Sequence, residues 1–183
     1  MNEHNGTHVD APAHFISDAK PGAHVTIENV LLNRLMGRAV RLDCREFREG
    51  DYVSSSFVAE WEAVHGPLEA GDIVQLRLVG LLGAASQLWT LRGRLAFGVG
   101  IEAAEYLLGK SIAALGVDTL SPDPLQAVRT NSLHPIVLEK QVLIIENLCN
   151  LEQLPDFFLF LALPLKIRGG SGSPIRAVGV VEI

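Results

Sequence analysis

The pattern of hydrophobic positions along the chain consists of short apolar runs separated by amphipathic segments. Five runs are almost continuously apolar and rich in β-branched residues, as strands covered on both faces are. These candidate strands span residues 39–42, 73–78, 113–117, 142–145 and 177–181. Ser54 is placed to cap a helix through His65, and a second helix is predicted over 100–109. The order of elements predicts one α/β domain with a mixed sheet, covering residues 1–183.

Composition and charge exclude several classes of function. The chain is 48% hydrophobic, as expected for a globular protein, and has a net charge of −6. An acidic chain without a basic cluster has no electrostatic footprint for nucleic acid or for an anionic membrane. The longest apolar run, residues 157–165, falls far short of the roughly 20 residues that span a bilayer. We therefore expect a cytoplasmic protein that binds neither nucleic acid nor membrane, with Cys44 and Cys149 as buried free thiols.

Three of the six histidines lie within eleven residues near the start of the chain. His4, His8, Asp10 and His14 all occupy even positions, so an extended chain would direct their side chains to one face. His4 and His8 would then be about 13 Å apart, too far to share one ion, at roughly 3.3 Å per residue. The chain must therefore curl between them, and Gly6 allows this at low cost. Two imidazoles and a carboxylate suit zinc or manganese, and the second oxygen of Asp10 could bridge to a second ion.

The histidine segment, H-x-G-T-H-x-D-x-P-x-H over residues 4–14, resembles the signature of the cyclase family of metal-dependent hydrolases. That family includes bacterial kynurenine formamidases (arylformamidases) and isatin hydrolases. Further similarity is carried by four later segments: Gly71-Asp72-Ile73-Val74, Gly116-Val117-Asp118-Thr119, His134 and Glu146-Asn147-Leu148. The resemblance covers most of the chain and implies a swivelling β/β/α architecture, which is compatible with the mixed α/β pattern.

The resemblance also implies roles for individual residues. Five residues match the family's metal ligands, three for one ion and the rest for a second ion that shares Asp10: His4, His8, Asp10, His134 and Glu146. His14 matches the catalytic acid/base, and two zinc ions per chain are expected, with manganese as the other candidate metal. Asp118 and Asp123 could support the ligands or could cap the turns of their own loop. His24 and His65 match nothing in the family and are expected at the surface.

The implied reaction is hydrolysis of a small-molecule amide or formamide, as in an arylformamidase. A metal-activated hydroxide would attack the carbonyl, and His14 would protonate the leaving amine. One alternative stays within the family, as isatin-hydrolase-like lactam opening or another cyclase-family reaction, and the same ligands would serve it. The other alternative is a degenerate paralogue that keeps the metal without catalysing a reaction.

The chain departs from the family pattern in two places. Relatives usually carry several dozen residues before the histidine motif, whereas three precede it here, which suggests N-terminal truncation. The stretch 78–97 is unusually apolar and replaces a charged loop that lines the active site in the family. Uncovered sheet edges and apolar surface favour association, so we expect a homo-oligomer. We also expect hydrolysis of formylkynurenine to be weak.

Overall fold

The computed structural model describes residues 2–20, 22–47, 51–78, 98–123 and 133–182. Its strands are β1 (His8–Asp10), β2 (Met36–Asp43), β3 (Tyr52–Val53), β4 (Ile73–Arg77), β5 (Gly98–Val99), β6 (Ala114–Val117), β7 (Leu143–Glu146), β8 (Phe157–Pro164) and β9 (Gly172–Val180). Its α-helices are α1 (Ser55–His65), α2 (Ile101–Gly109) and α3 (Leu133–Glu139). Short 3₁₀ turns span Pro12–His14, Ile27–Asn29, Leu32–Arg34 and Leu151–Gln153. The predicted mixed α/β fold is confirmed.

Seven of these strands close into a barrel in the order β1-β7-β6-β4-β2-β8-β9. The four strands β2, β4, β6 and β7 run parallel to one another. The remaining three, β1, β8 and β9, pair antiparallel and complete the closure. β3 and β5 form a separate two-stranded parallel sheet. Closure removes free edges over most of the main sheet, so its hydrogen-bonding groups are satisfied within the barrel.

The parallel strands separate two hydrophobic clusters. Side chains alternate along a strand, so neighbouring residues reach opposite faces of the sheet. In β7, for example, Ile145 packs inside the barrel with Val9 and Phe160, whereas Ile144 joins the cluster under the helices. That outer cluster includes Val58 of α1. Burial on both faces explains why these strands appear in the sequence as continuous apolar runs.

The predicted elements match the structure closely in the parallel strands and in the first two helices. Ser54 accepts a hydrogen bond from the backbone of Phe57, 3.2 Å away, and so caps α1 as predicted. The C-terminal prediction was less complete, because the loop expected up to residue 174 gives way to β9 at Gly172. The cause is a long-range pairing, since Gly172 lies opposite Asp10 of β1. Of the atypical stretch 78–97, residues 79–97 lie outside the described residues.

The sequence indicates strand β8 only as an apolar run. Its residues alternate between Phe158 and Phe160, which are buried, and Leu159, which is 49% exposed. In the described parts of the chain, no helix combines the length and apolar character needed to cross a membrane. Cys44 is buried as expected, but the prediction for Cys149 was wrong: it is exposed in the loop that follows β7.

Candidate metal centre

Strand β1 presents its polar residues on the outer face of the barrel. Val9 packs inside the barrel, so the side chains of His8 and Asp10 project from the opposite face. In the antiparallel pair of β1 and β7, His8 lies directly opposite Glu146, the last residue of β7. Two residues that are 138 positions apart in the sequence are thus neighbours because of strand register.

Helix α3 brings the fourth side chain to this face. His134 is the second residue of the helix, and Pro135 follows in the first turn, where its missing N–H breaks no helical bond. The Nε2 atom of His134 lies 3.4 Å from Asp10 Oδ2 and 3.2 Å from Glu146 Oε1. The Nε2 atom of His8 lies 3.3 Å from Asp10 Oδ1 and 3.4 Å from Glu146 Oε2. Two imidazoles and two carboxylates therefore converge in a buried space.

The chain curls before β1, as the sequence predicted. Gly6 has a φ of +64°, the left-handed conformation that a residue without Cβ adopts at low cost. The curl brings His4 Nδ1 to 2.6 Å from Asp10 Oδ1. The close approach of His4 also depends on Gly172, because a Cβ on that residue would lie 2.5 Å from His4 Cε1. The first group of predicted ligands is thus assembled by a turn and a glycine on a neighbouring strand.

Each histidine of the cluster has its far nitrogen engaged by another group. His8 Nδ1 donates to the carbonyl of Gly6 at 2.9 Å. His134 Nδ1 donates to Asp123 Oδ2 at 2.5 Å. His4 Nε2 lies 2.8 Å from the hydroxyl of Ser171. Such bonds select the tautomer and orient the ring, so that the other nitrogen is available to a metal ion.

The charged groups of the cluster shift one another's pKa values. Burial would raise the pKa of Asp10, but hydrogen bonds from His134, His4 and His8 hold it well below its usual range. Burial lowers the pKa of His134, but its contacts with Asp10, Asp123 and Glu146 outweigh burial and raise that pKa to about 11. In Glu146, burial and the nearby Asp10 carboxylate raise the pKa. The carboxylates thus favour protonated imidazoles at His134 and His8, and a bound cation would take the place of those protons.

The donor set fits a divalent cation. Asp10 Oδ2 is buried and makes no hydrogen bond of ordinary geometry, since its neighbour His134 Nε2 is 3.4 Å away, and a bound cation would give this oxygen a closer partner. Two groups of side chains each bring three donor atoms within 4.8 Å of one another: His4, His8 and Asp10 form one, and Asp10, His134 and Glu146 form the other. Imidazole nitrogen and carboxylate oxygen are ligands of zinc and manganese. The structure brings together all five metal ligands that the sequence analysis proposed.

His14 lies beside the cluster rather than within either group. It ends the 3₁₀ turn after β1, and its ring stacks on that of His4, with centroids 3.8 Å apart. Burial lowers the pKa of His14 to about 4, with a smaller opposing effect from Asp10. The ring also borders a cavity of about 540 Å³ whose wall includes the cluster residues His4, His8 and Glu146. His14 is therefore placed to meet a molecule that enters this cavity.

The remaining walls of the cavity come from three loops. Residues 5–7 form one side, Asp118 and Leu120 form a second, and residues 147–149 form a third. The side chain of Thr7 donates to the carbonyl of Asn147 at 2.7 Å and ties the first loop to the third. The cavity is thus lined by both polar and apolar groups above a buried cluster of ligands.

Sequence reasoning missed part of the support around the cluster. Ser171 is 167 positions from His4 and is itself held by Glu3, which accepts from the backbone and the hydroxyl of Ser171. The position of Ser171 in a glycine-rich loop was the only sequence signal. The sequence allows two roles for Asp123, and in the structure its carboxylate contacts His134. His24 was expected at the surface but is half-buried, and its Nδ1 donates a hydrogen bond to the carbonyl of Ile16.

The chain is similar to known proteins along almost its entire length. A family model described as a putative cyclase matches residues 1–124. Isatin hydrolase from Roseibium aggregatum is 31% identical, over 99% of this chain and 73% of that protein. Kynurenine formamidase from Delftia acidovorans is 28% identical, over 97% of this chain and 76% of that protein.

Solved structures of similar proteins have the same fold. The crystal structure of an isatin hydrolase bound to the product analogue thioisatinate matches with a TM-score of 0.87 at 30% identity, covering 99% of this chain and 73% of that one. A structure described as a potential metal-dependent hydrolase with cyclase activity matches with a TM-score of 0.76 at 27% identity, covering 98% and 79% of the two chains. The chain therefore belongs to the cyclase family of metal-dependent hydrolases.

Proposed function

We propose that this protein hydrolyses the amide bond of a small aryl amide, with arylformamidase-like cleavage of a formamide as the first candidate reaction. The observation that carries the proposal is the buried cluster of two ligand groups that share Asp10, at the wall of a cavity that His14 also borders. A ligand cluster at a substrate-sized cavity, with a separate imidazole beside it, is the arrangement that metal-assisted hydrolysis requires.

In this proposal His4, His8 and Asp10 hold one ion, and His134 and Glu146 hold a second that shares Asp10. When bound, such ions polarise the scissile carbonyl and lower the pKa of water toward neutrality. Asp10 contributes because each of its two oxygens faces a different group of histidines. Two zinc ions, or manganese in their place, therefore match the donor atoms present.

His14 is proposed to move the proton. In amide hydrolysis, the oxygen of water bonds to the carbonyl carbon, the C–N bond breaks and the nitrogen leaves as a protonated amine. The low pKa of His14 keeps its ring neutral near pH 7, so the ring can accept the proton that water loses. The same ring can then deliver that proton to the leaving nitrogen. Its stacking on His4 would hold it in position for both transfers.

The cavity walls would orient the substrate. Leu120 and Leu148 supply apolar surface, and Asp118 and Asn147 supply polar groups on the same two sides of the cavity. Apolar surface favours an aromatic ring and keeps water away from it, whereas polar groups fix its orientation. Correct orientation of a bound substrate can lower the barrier by several kcal/mol.

Opening of a lactam is the second candidate reaction. It is favoured by the 31% identity to isatin hydrolase and by the similarity to an isatin hydrolase structure that holds a product analogue. The lactam of isatin and the formamide of formylkynurenine both place the amide nitrogen on an aromatic ring. The same ligands and the same proton transfer by His14 would serve either substrate.

The test is steady-state hydrolysis of N-formylkynurenine and of isatin by the same sample, loaded with zinc and in a parallel preparation with manganese. The substrate with the larger kcat/KM identifies the reaction, and the Asp10→Asn variant shows whether any hydrolysis comes from a contaminant. If the protein binds metal stoichiometrically but hydrolyses neither compound, nor other aryl amides, the proposal is wrong and the degenerate paralogue is the better description.

A further inference from the structure

A second cavity lies at the ends of β6 and β7 that are remote from Glu146. Its volume is about 440 Å³. Two of its sides are the connections that lead from α2 into β6 and from α3 into β7, which contribute Ser111 and Lys140 respectively. Arg34, the last residue of a 3₁₀ turn before β2, forms the third side. No residue of this cavity borders the candidate metal centre.

The guanidinium of Arg34 is only partly satisfied by the protein. Its Nη2 donates to the carbonyl of Gln141 at 2.6 Å, and the carbonyl of Ala113 is 3.5 Å away. Its Nε is buried and has no hydrogen-bond partner. Burial lowers the pKa of Arg34, and among the residues that the structure describes no carboxylate counteracts the shift. A charged group with a buried N–H that lacks a partner is costly, and an oxyanion beside the guanidinium would stabilise its charge.

The charge of the cavity also favours an anion. Arg34 and Lys140 bring two full positive charges, and the carboxylate near Lys140, that of Glu139, is paired with Lys20 at 2.5 Å. The cavity adjoins the C-terminal ends of α2 and α3, and each end carries at most about half a negative charge. These partial charges amount to about one negative charge, so about one positive charge remains uncompensated.

We infer that this cavity binds a small oxyanion, a phosphate or carboxylate group, held between Arg34 and Lys140. A guanidinium presents its N–H donors in a fixed fork that matches the geometry of such groups, and an ammonium adds a flexible point charge. The hydroxyl of Ser111 lines the same cavity and offers a neutral donor. The site is separate from the metal centre, and its occupancy does not depend on the proposed reaction.

The test is calorimetric titration of metal-loaded protein with inorganic phosphate in a chloride buffer. Saturable binding with a Kd of about 1 mM is expected for a few charge-assisted hydrogen bonds. Arg34→Gln should weaken binding at least about tenfold, and Lys140→Gln by about threefold or more, because each removes one cation. Lys166→Gln, which removes an exposed positive charge outside this cavity, is the matched control and should bind as the wild type does.

Two further samples make the result decisive. The His8→Ala variant disrupts the metal cluster and should retain phosphate binding. If His8→Ala loses phosphate binding while the Arg34 and Lys140 variants bind normally, the phosphate binds at the metals and the inference is wrong. If Arg34→Gln does not fold, Lys140→Glu decides, because reversal of the charge should abolish binding. Acetate as a second titrant shows which oxyanion is preferred. Absence of saturation with both anions at tens of millimolar would refute the site.

Discussion

The two groups of candidate metal ligands share Asp10 but are built in different ways. His4 and His8 lie on the same segment as Asp10, whereas His134 and Glu146 come from a helix and a strand that are distant in the sequence. The side chain of His4 is 22% exposed, and those of His134 and Glu146 are each 8% exposed. A local turn therefore delivers one ligand at the rim of the cavity, and packed elements deliver the buried ones.

The difference extends to the groups that hold the ligands. The ring of His134 bonds to Asp123, whose other oxygen accepts from the backbone of Leu133, so that carboxylate ties the start of α3 to its preceding loop. The ring of His4 bonds to a serine hydroxyl on another strand connection. A charged partner makes a stronger hydrogen bond than a neutral one. We therefore expect the group that contains His134 to hold its ion more tightly than the group that contains His4.

The largest effect is expected from Asp10→Asn, because Asp10 belongs to both groups. The substitution keeps the size of the side chain but removes the charge that faces three histidines. Metal content, measured by mass spectrometry after reconstitution, should fall toward zero, and the rate of hydrolysis should fall about 10⁴-fold or more. Asp18→Asn, on an exposed aspartate, is the control. If the Asp10→Asn variant retains both ions, then Asp10 is not a ligand that the two ions share.

His14→Ala should separate proton transfer from metal binding. His14 borders the cavity but belongs to neither ligand group, so the variant should keep its metal and lose about 10²–10⁴-fold in kcat. His65→Ala, on an exposed histidine, is the matched control and should retain full activity. If His14→Ala instead loses metal, then His14 acts as a ligand or supports His4 by stacking, and its proposed catalytic role is wrong.

The comparison between the two groups is tested most directly by their supporting residues. Asp123→Asn should weaken metal affinity by about 10–100-fold, the range found when partners of ligating histidines are removed. Ser171→Ala removes a neutral partner of a half-buried histidine and should have a smaller effect, at most about tenfold. Competition with a chromophoric chelator measures both affinities. Equal losses in the two variants would contradict the proposed difference between the groups.

The smallest effect is expected from Gly6→Ala in the curl that positions His4. A Cβ at this position meets no atom within 4 Å, so the cost comes only from the positive φ of +64°. The free energy of unfolding should fall by about 1 kcal/mol, with the metal content nearly unchanged. Denaturant titration of the metal-loaded protein measures this change. A gain in stability would show that the chain does not need the left-handed turn.

Much of the fold and of the site could be predicted from local patterns. The parallel strands were found because burial on both faces makes them continuous apolar runs, and α1 was found because Ser54 caps an amphipathic segment. Strand β8 and the start of β9 were missed because their pairing, rather than their composition, defines them. The exposure of Cys149 could not be predicted either, since its type is usually buried and its position depends on the loop that it occupies.

The sequence by itself determined the spacing of His4, His8, Asp10 and His14, and the need for a curl at Gly6. Those features depend on residue types and on the length of an extended chain, which are local properties. Only the tertiary structure decided that Glu146 lies opposite His8 and that Ser171 bonds to His4. Strand register and loop contacts between distant segments arise from packing of the whole barrel, and no local periodicity encodes which distant residues they bring together.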